Sequence, residues 1–380
     1  MKIASYIISS FLLSILICAC DSPKEPASNN FENQIPVFSD DNMSGEALFS
    51  HQFTPNEGLG PHFNATSCTE CHIAPSIGGV ADDNSDIVLR IGFLSDGVFS
   101  DLSDENGPSI RAHSVADEGY LCDVSNSIDT NVNVVSLRAT LSLFGLGIVD
   151  QIPDALIEAE AKDQGFGIHG SVNKIPMTSG GYRVGRFGWK AQKADLLLFT
   201  AEAFRNEIGT TNIFFPYDNF DPSTPGLNEC AGYNQGIEIS EKAIKKVNDF
   251  IASLPIKNAA LPDLNSTGFA YFKEAKCHLC HKPSYEVENK KHFLFSDFLL
   301  HDMGDSLNDN FIQGNAKGMD WRTSPLHGLG FRTSYLHDVR TKSLDTAIRT
   351  HRGEGYQSMT LYSNFSQEKK DDLIDFLNSL

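Results

Sequence analysis

Apolar residues first gather at the amino end, where Met1-Lys2 precedes a short, mostly apolar run from Tyr6 to Ile17. The run is too short for a comfortable membrane span and reads as the core of an export signal. Residues 21–40, rich in Ser, Pro, Asn and Asp, read as a flexible tether. A short helix is predicted over Met43 to Phe49, then a loop from Thr54 to Pro61. Between 80 and 136 the pattern is polar and loop-like, apart from one alternating piece, Ile87-Val88-Leu89-Arg90-Ile91, that allows a hairpin. Helical spacing returns at Leu137 to Val149, and Pro153 suits the first turn of a following helix. Residues 185–208 run into a long apolar helix. At 240–253 Ser240 caps a helix with Ala243, Val247, Phe250 and Ile251 at helical spacing. Residues 254–266 read as a linker, a helix bearing Gly268 and Phe272 follows, and Gln367 to Leu380 closes the chain with Leu373, Phe376, Leu377 and Leu380 on one face.

Two stretches carry the chemistry: Cys68-Thr69-Glu70-Cys71-His72 and Cys277-His278-Leu279-Cys280-His281. Each is a C-x-x-C-H run, the attachment signature of c-type haem. Two thiols three apart reach both vinyl groups on one porphyrin edge. The next residue then lies on the same turn and meets the iron with its imidazole. A zinc knuckle needs a second ligand pair near each Cys-x-x-Cys, and a redox pair does not require the histidine. Two covalently bound haems c are therefore expected, with Cys68, Cys71, Cys277 and Cys280 as attachment points and His72 and His281 as proximal ligands. The expected fold is mainly α, two cytochrome c-like haem domains with long irregular loops, the first enlarged by insertions. The expected boundaries are 1–19 for a lipoprotein signal peptide, 20–42 for the tether, 43–254 for the first haem domain and 255–380 for the second.

Composition sharpens this picture. With 380 residues and 41% hydrophobic side chains the chain is globular, and 30 Gly with 16 Pro suit loops around a flat cofactor. Its net charge of −19 excludes phosphate neutralisation, hence nucleic acid, and suits a basic electron-carrying partner. Ile17-Cys18-Ala19-Cys20 resembles a lipobox, which places lipid on Cys20 and the protein on the periplasmic side of a bacterial membrane. Of eight cysteines, Cys122 and Cys230 remain, either as a disulfide or as two buried thiols.

The residues resemble the bacterial di-haem oxidoreductases, also labelled peroxidases and thiol oxidoreductases, distant relatives of the di-haem cytochrome c peroxidases. The likeness runs from about residue 43 to 380. It is carried by residues 60–68, Gly145-Leu146-Gly147 with Ile152-Pro153-Asp154, and residues 185–191. It continues in residues 299–304, Trp321-Arg322-Thr323, residues 335–338 and Ala347-Ile348-Arg349-Thr350-His351. Ser324, His327 and Val339 depart from the family pattern.

The resemblance implies distal groups. His351 falls where di-haem peroxidases place a methionine ligand, so His281/His351 coordination is expected for the second haem, with Met303 as the rival. No sixth ligand stands out for the first haem, which is expected to bind peroxide or oxygen. Asp150, beside Gln151, stands where the family has an acid before its Ile-Pro pair. His113, in a polar loop, is a second acid–base candidate, and Trp189 is placed between haems by analogy. Calcium between the domains finds no support in the sequence. The implied activity is peroxide reduction at haem 1 with electrons relayed through haem 2 from an external donor. A non-catalytic two-haem carrier and a di-haem oxygenase or protein-modifying oxidase are the rivals. A thiol chemistry finds no thiol pair beyond Cys122 and Cys230.

Overall fold

The computed structural model describes residues 37–380 apart from 40–41, 82–86, 103–107, 126–131, 221–222 and 235. The export signal, Cys20 and nearly all of the tether lie outside the described residues.

The helix Glu241–Ser253 is the spine of the first half. Ser240 caps it by accepting from the Ala243 N–H at 3.1 Å, and Ala243, Ile244, Val247 and Ile251 are buried along one stripe. Ile244, Val247 and Ile251 each contribute about 1.5–3 kcal/mol by leaving water, and Ala243 less. Besides Leu146–Gln151, two helices pack on it. Gly45–Phe49 crosses so closely that a Cβ on Gly45 would lie 2.0 Å from the Lys246 carbonyl oxygen. The other, Leu196–Ala203, is capped by Asp195 and continues into a π-helical turn, Phe204–Ile208.

The expectation of a mainly α fold is overturned. The chain is 31% helix and 18% strand, a mixed α/β architecture with several small sheets. The largest is antiparallel: Ile87–Ser95 pairs with Val98–Ser100, Ser109–Ile110 and Val134–Ala139. The last of these strands reverses the usual alternation. Val135 and Leu137 face outward, whereas Ser136 and Arg138 turn inward to Asp309. That inversion is why Leu137 to Val149 reads as helical in sequence although its first residues are strand. A helix appears only at Leu146–Gln151, after Gly145 in the left-handed conformation (φ 74°).

In the second half, Thr267–Glu274 lies across Gln367–Ser379, with Gly268 beneath the Asp372 carbonyl. Leu344–Thr350 and Tyr356–Ser363 complete its helices. Leu300–Asp302 pairs with Asp320–Arg322 so that His301 sits opposite Trp321. Residues 35–380 form one compact unit. Its two halves share apolar side chains: Tyr285, Val287, Leu294, Phe298 and Leu299 join the cluster built around Val247 and Phe204. Cys122 and Cys230 are disulfide-bonded beside Val124, Phe220 and Leu227. Among the described residues no helix is long and apolar enough to cross a membrane.

The segments 152–154 and 185–191 meet in a single contact. Fully buried Arg186 reaches the carbonyls of Val149 and Ile152 and the carboxylate of Asp154, which also accepts from Arg183 and the Val184 N–H. A buried guanidinium needs this full set of acceptors.

Candidate functional site

Two largely apolar cavities, of about 200 and about 220 Å³, each carry one C-x-x-C-H run on the wall. In the first, Cys68–Cys71 is a single helical turn capped by Ser67. In the second, a 3-10 turn, Cys277–Leu279, follows the helix Thr267–Glu274 through Lys276 at positive φ. All four cysteines are free and half-buried. Burial pushes the thiols of Cys68 and Cys277 up to about 12, so both are protonated at neutral pH.

The histidine closing each run is held in one tautomer. His72 Nδ1 lies 3.0 Å from the Gly79 carbonyl oxygen and His281 Nδ1 lies 3.1 Å from that of Phe295. A carbonyl can only accept, so each Nδ1 carries the proton and each Nε2 keeps its lone pair. Burial lowers both imidazoles to about 4, with His351 contributing at His281. They are neutral at pH 7, as a metal-ligating histidine with a hydrogen-bonded far nitrogen must be. Gly79 is required here for packing: a Cβ would fall 1.8 Å from the Ala74 carbonyl oxygen.

The two cavities differ in what faces His72 and His281. Among the described residues the first is lined by no histidine besides His72 and by no methionine; its polar lining includes Arg90, Gln192, Thr200, Glu202 and Glu207. The second is lined by His281, His301, His337, His351, Met303 and Met359. His351 ends the helix Leu344–Thr350, with Nδ1 donating to the Ala347 carbonyl at 2.9 Å and its pKa lowered by burial. Met303 is its neighbour. A Cβ on Gly355 would lie 3.0 Å from the His351 Cβ and 3.3 Å from the Met303 Cε.

Cys280, Asp297 and His301 come close enough to suggest a metal site, but His301 is already committed. Its Nε2 pairs with Asp297 at 2.9 Å and its Nδ1 with Glu354 at 2.8 Å. Burial would lower its pKa, yet these bonds raise it well above the usual range. As an imidazolium it offers a metal no lone pair.

Haem fits both cavities on three counts. Each has two thiols and an imidazole at thioether spacing and mostly apolar walls. Each also carries a half-buried guanidinium, Arg90 in the first and Arg332 in the second, with no carboxylate partner among the described residues; buried Arg322, also on the second, bonds only to carbonyls. A partly desolvated cation without a counter-ion calls for an anionic group, and haem carries two propionates.

The remaining sequence candidates fall in different places. Trp189 lines both cavities, its indole N–H donating to the Ala139 carbonyl at 2.8 Å. Asp150, Gln151 and His113 line neither. Asp150 is half-buried and accepts from the Leu196 N–H at 3.1 Å, and burial raises its pKa. Gln151 is exposed and bonded back to the Gly147 carbonyl; His113 is exposed on a strand edge against Phe63. His62, in the 60–68 stretch, is 1% exposed and bonded to the Val124 carbonyl. Sequence reasoning missed Thr200, Glu202 and Glu207. Their signal was a set of polar residues interrupting an apolar helix.

Residues 120–380 match the family described as "Di-haem oxidoreductase, putative peroxidase". The second C-x-x-C-H run lies inside that match and the first lies before it. No curated protein matches the sequence. Among solved structures the chain is similar to a MauG-like protein associated with microbial copper homeostasis, at 13% identity over 63% of this chain and 89% of that one, TM-score 0.32. It is also similar to hydrazine synthase of Kuenenia stuttgartiensis, at 13% identity over 94% of this chain and 100% of that one, TM-score 0.38. Likeness at that distance carries no chemistry across.

Proposed function

The chain belongs to the di-haem oxidoreductases, and on that premise we propose that it is a peroxidase working on the periplasmic side of a bacterial membrane, tethered by lipid on Cys20. The observation that carries the reading is the inequality of the cavities. Among the described residues the first offers one imidazole, His72, and no methionine, whereas the second offers His281 and His351 together.

When bound, haem supplies one-electron redox chemistry and, where one iron face stays free, a place for peroxide. The residues do the rest. Cys68, Cys71, Cys277 and Cys280 would hold the haem through their thiols, and His72 and His281 would offer Nε2 to its iron. In the second cavity His351 would offer Nε2 too and is preferred to Met303, because the Ala347 carbonyl already fixes its ring. Arg90 and Arg332 would pair with the propionates. Glu202, paired with Lys193 at 3.0 Å, and Glu207, bonded to Asn64 at 2.5 Å, are the carboxylates on the first cavity able to hold and pass a proton. Peroxide takes two electrons and two protons and leaves as two waters. The electrons come from an external carrier whose basic surface suits a chain of net charge −19, and Trp189 lies on the way between the cavities.

The test is peroxide consumption by the purified full-length holoprotein with a reduced small cytochrome or dye as donor. Saturable turnover is expected. A holoprotein that leaves peroxide untouched while accepting and returning electrons would make it a carrier instead.

A further inference from the structure

A buried ionic cluster lies between the cavities and has no part in the reaction proposed above. Lys190 is 0% exposed. Its ammonium donates to the carbonyls of Lys317 (2.8 Å), Gly318 (3.1 Å) and Asp320 (3.0 Å), and Asp309 Oδ1 lies at 3.3 Å. Three carbonyls and a carboxylate form the oxygen cage a small bound cation takes; here a side chain fills it. The other Asp309 oxygen accepts from Ser136 at 2.7 Å and pairs with Arg138 at 2.6 Å.

Both cations lie against one ring. Lys190 Nζ is 4.0 Å and the Arg138 guanidinium carbon 4.5 Å from the centroid of Trp321. His337 stacks on the same indole at 3.8 Å and is kept neutral by burial, and the Trp321 N–H donates to the Leu307 carbonyl. The two cations share the Asp309 carboxylate, and the Asp320 charge also acts on Lys190. Trp189, edge-on at 6.4 Å, has no cation over its ring among the described residues, and its N–H points at the Ala139 carbonyl. Both indoles donate to a carbonyl at 2.8 Å, and the two cations against its ring set Trp321 apart.

We propose that Lys190 is a built-in cation whose task is to keep Trp321 reduced, so that electrons moving between the cavities use Trp189 alone. Taking an electron from an indole leaves a positive charge on it. An ammonium and a guanidinium against the ring oppose that charge on Trp321, whereas Trp189 has no cation over its ring among the described residues. The inference rests on the peroxidase reading only for its oxidant, peroxide. An electron drawn from the protein leaves the Trp189 indole, and the N–H proton stays on nitrogen toward Ala139. Lys190 lines neither cavity, so it acts as a positioning residue for the tryptophan pair.

The test is oxidative marking of the full-length holoprotein. With peroxide in excess and no donor, the mark is one added oxygen on an indole, peroxide leaving as water, located by peptide mass spectrometry. Wild type is expected to carry the mark at Trp189 and to spare Trp321. Lys190→Gln should raise the Trp321 mark roughly tenfold or more. Lys190→Arg should not raise it, and ammonium ion added to Lys190→Ala should lower it again, which a merely structural role would not do. Ultraviolet photoionisation in air marks indoles without peroxide and is run in parallel, so an inert holoprotein sinks the peroxidase reading and leaves this inference decidable. Equal marking of both tryptophans in wild type would overturn it. So would a folded Lys190→Gln that spares Trp321, or a folded Lys190→Ala whose mark ignores ammonium.

Discussion

Glu354→Gln isolates the ionic clamp behind the second cavity. Glu354 Oε2 accepts from His301 Nδ1 at 2.8 Å and from the N–H groups of His169 (2.8 Å) and Gly170 (3.0 Å). It therefore ties a distant loop to the strand that leads into Met303 and to the turn beside His351. Burial alone would raise its pKa, but the His301 bond and the two backbone donors hold it at about 2 against an ordinary 4.5. At about 1.4 kcal/mol per pH unit that difference amounts to roughly 3 kcal/mol. The side chain is 17% exposed, and screening by water brings the expected effect of the substitution nearer 2 kcal/mol. A carboxylate with a depressed folded pKa stabilises above its unfolded pKa and loses that stabilisation as pH falls through the folded value. The gap between wild type and Glu354→Gln should therefore be full at neutral pH and less than half as large by about pH 3. Urea denaturation followed by tryptophan fluorescence, with the disulfide intact, measures it. A gap under about 0.5 kcal/mol at neutral pH, or one that does not change with pH, would refute the reasoning.

Three further outcomes are expected. Cys122→Ser with Cys230→Ser should lower stability by about 2–4 kcal/mol, and denatured, unreduced wild type should yield no thiol from either position. Gly147→Ala would set a Cβ 2.1 Å from the Ala252 carbonyl oxygen and should destabilise by about 1–3 kcal/mol through overpacking, read in the same urea titration. His351→Ala should remove the low-spin magnetic signal of the second haem and leave that of the first unchanged; an unaltered spectrum would return the ligand role to Met303.

What the sequence made legible was local. The C-x-x-C-H runs declare themselves because attachment and ligation are set within one turn of chain, and the helix after Ser240 does so because its cap and stripe are contiguous. The sheet was hidden because its strand from Val134 turns Ser136 and Arg138 inward to an aspartate 171 positions or more away, a pairing no periodicity reveals. The acid–base candidates Asp150, Gln151 and His113 line neither cavity for a related reason. Asp150 has the right residue type and neighbours, yet its carboxylate is used to receive the Leu196 N–H. The carboxylates that do reach a cavity, Glu202 and Glu207, look from sequence like the wet side of a helix. His351 is named by a family pattern, and the pairing of Arg186 with Asp154 joins two of that pattern's segments.

The most direct test is a magnetic spectrum of the oxidised full-length holoprotein, recorded before and after peroxide. Unequal cavities predict one low-spin haem and one high-spin haem per chain, with peroxide changing only the high-spin signal. Two low-spin haems, both indifferent to peroxide, would contradict it.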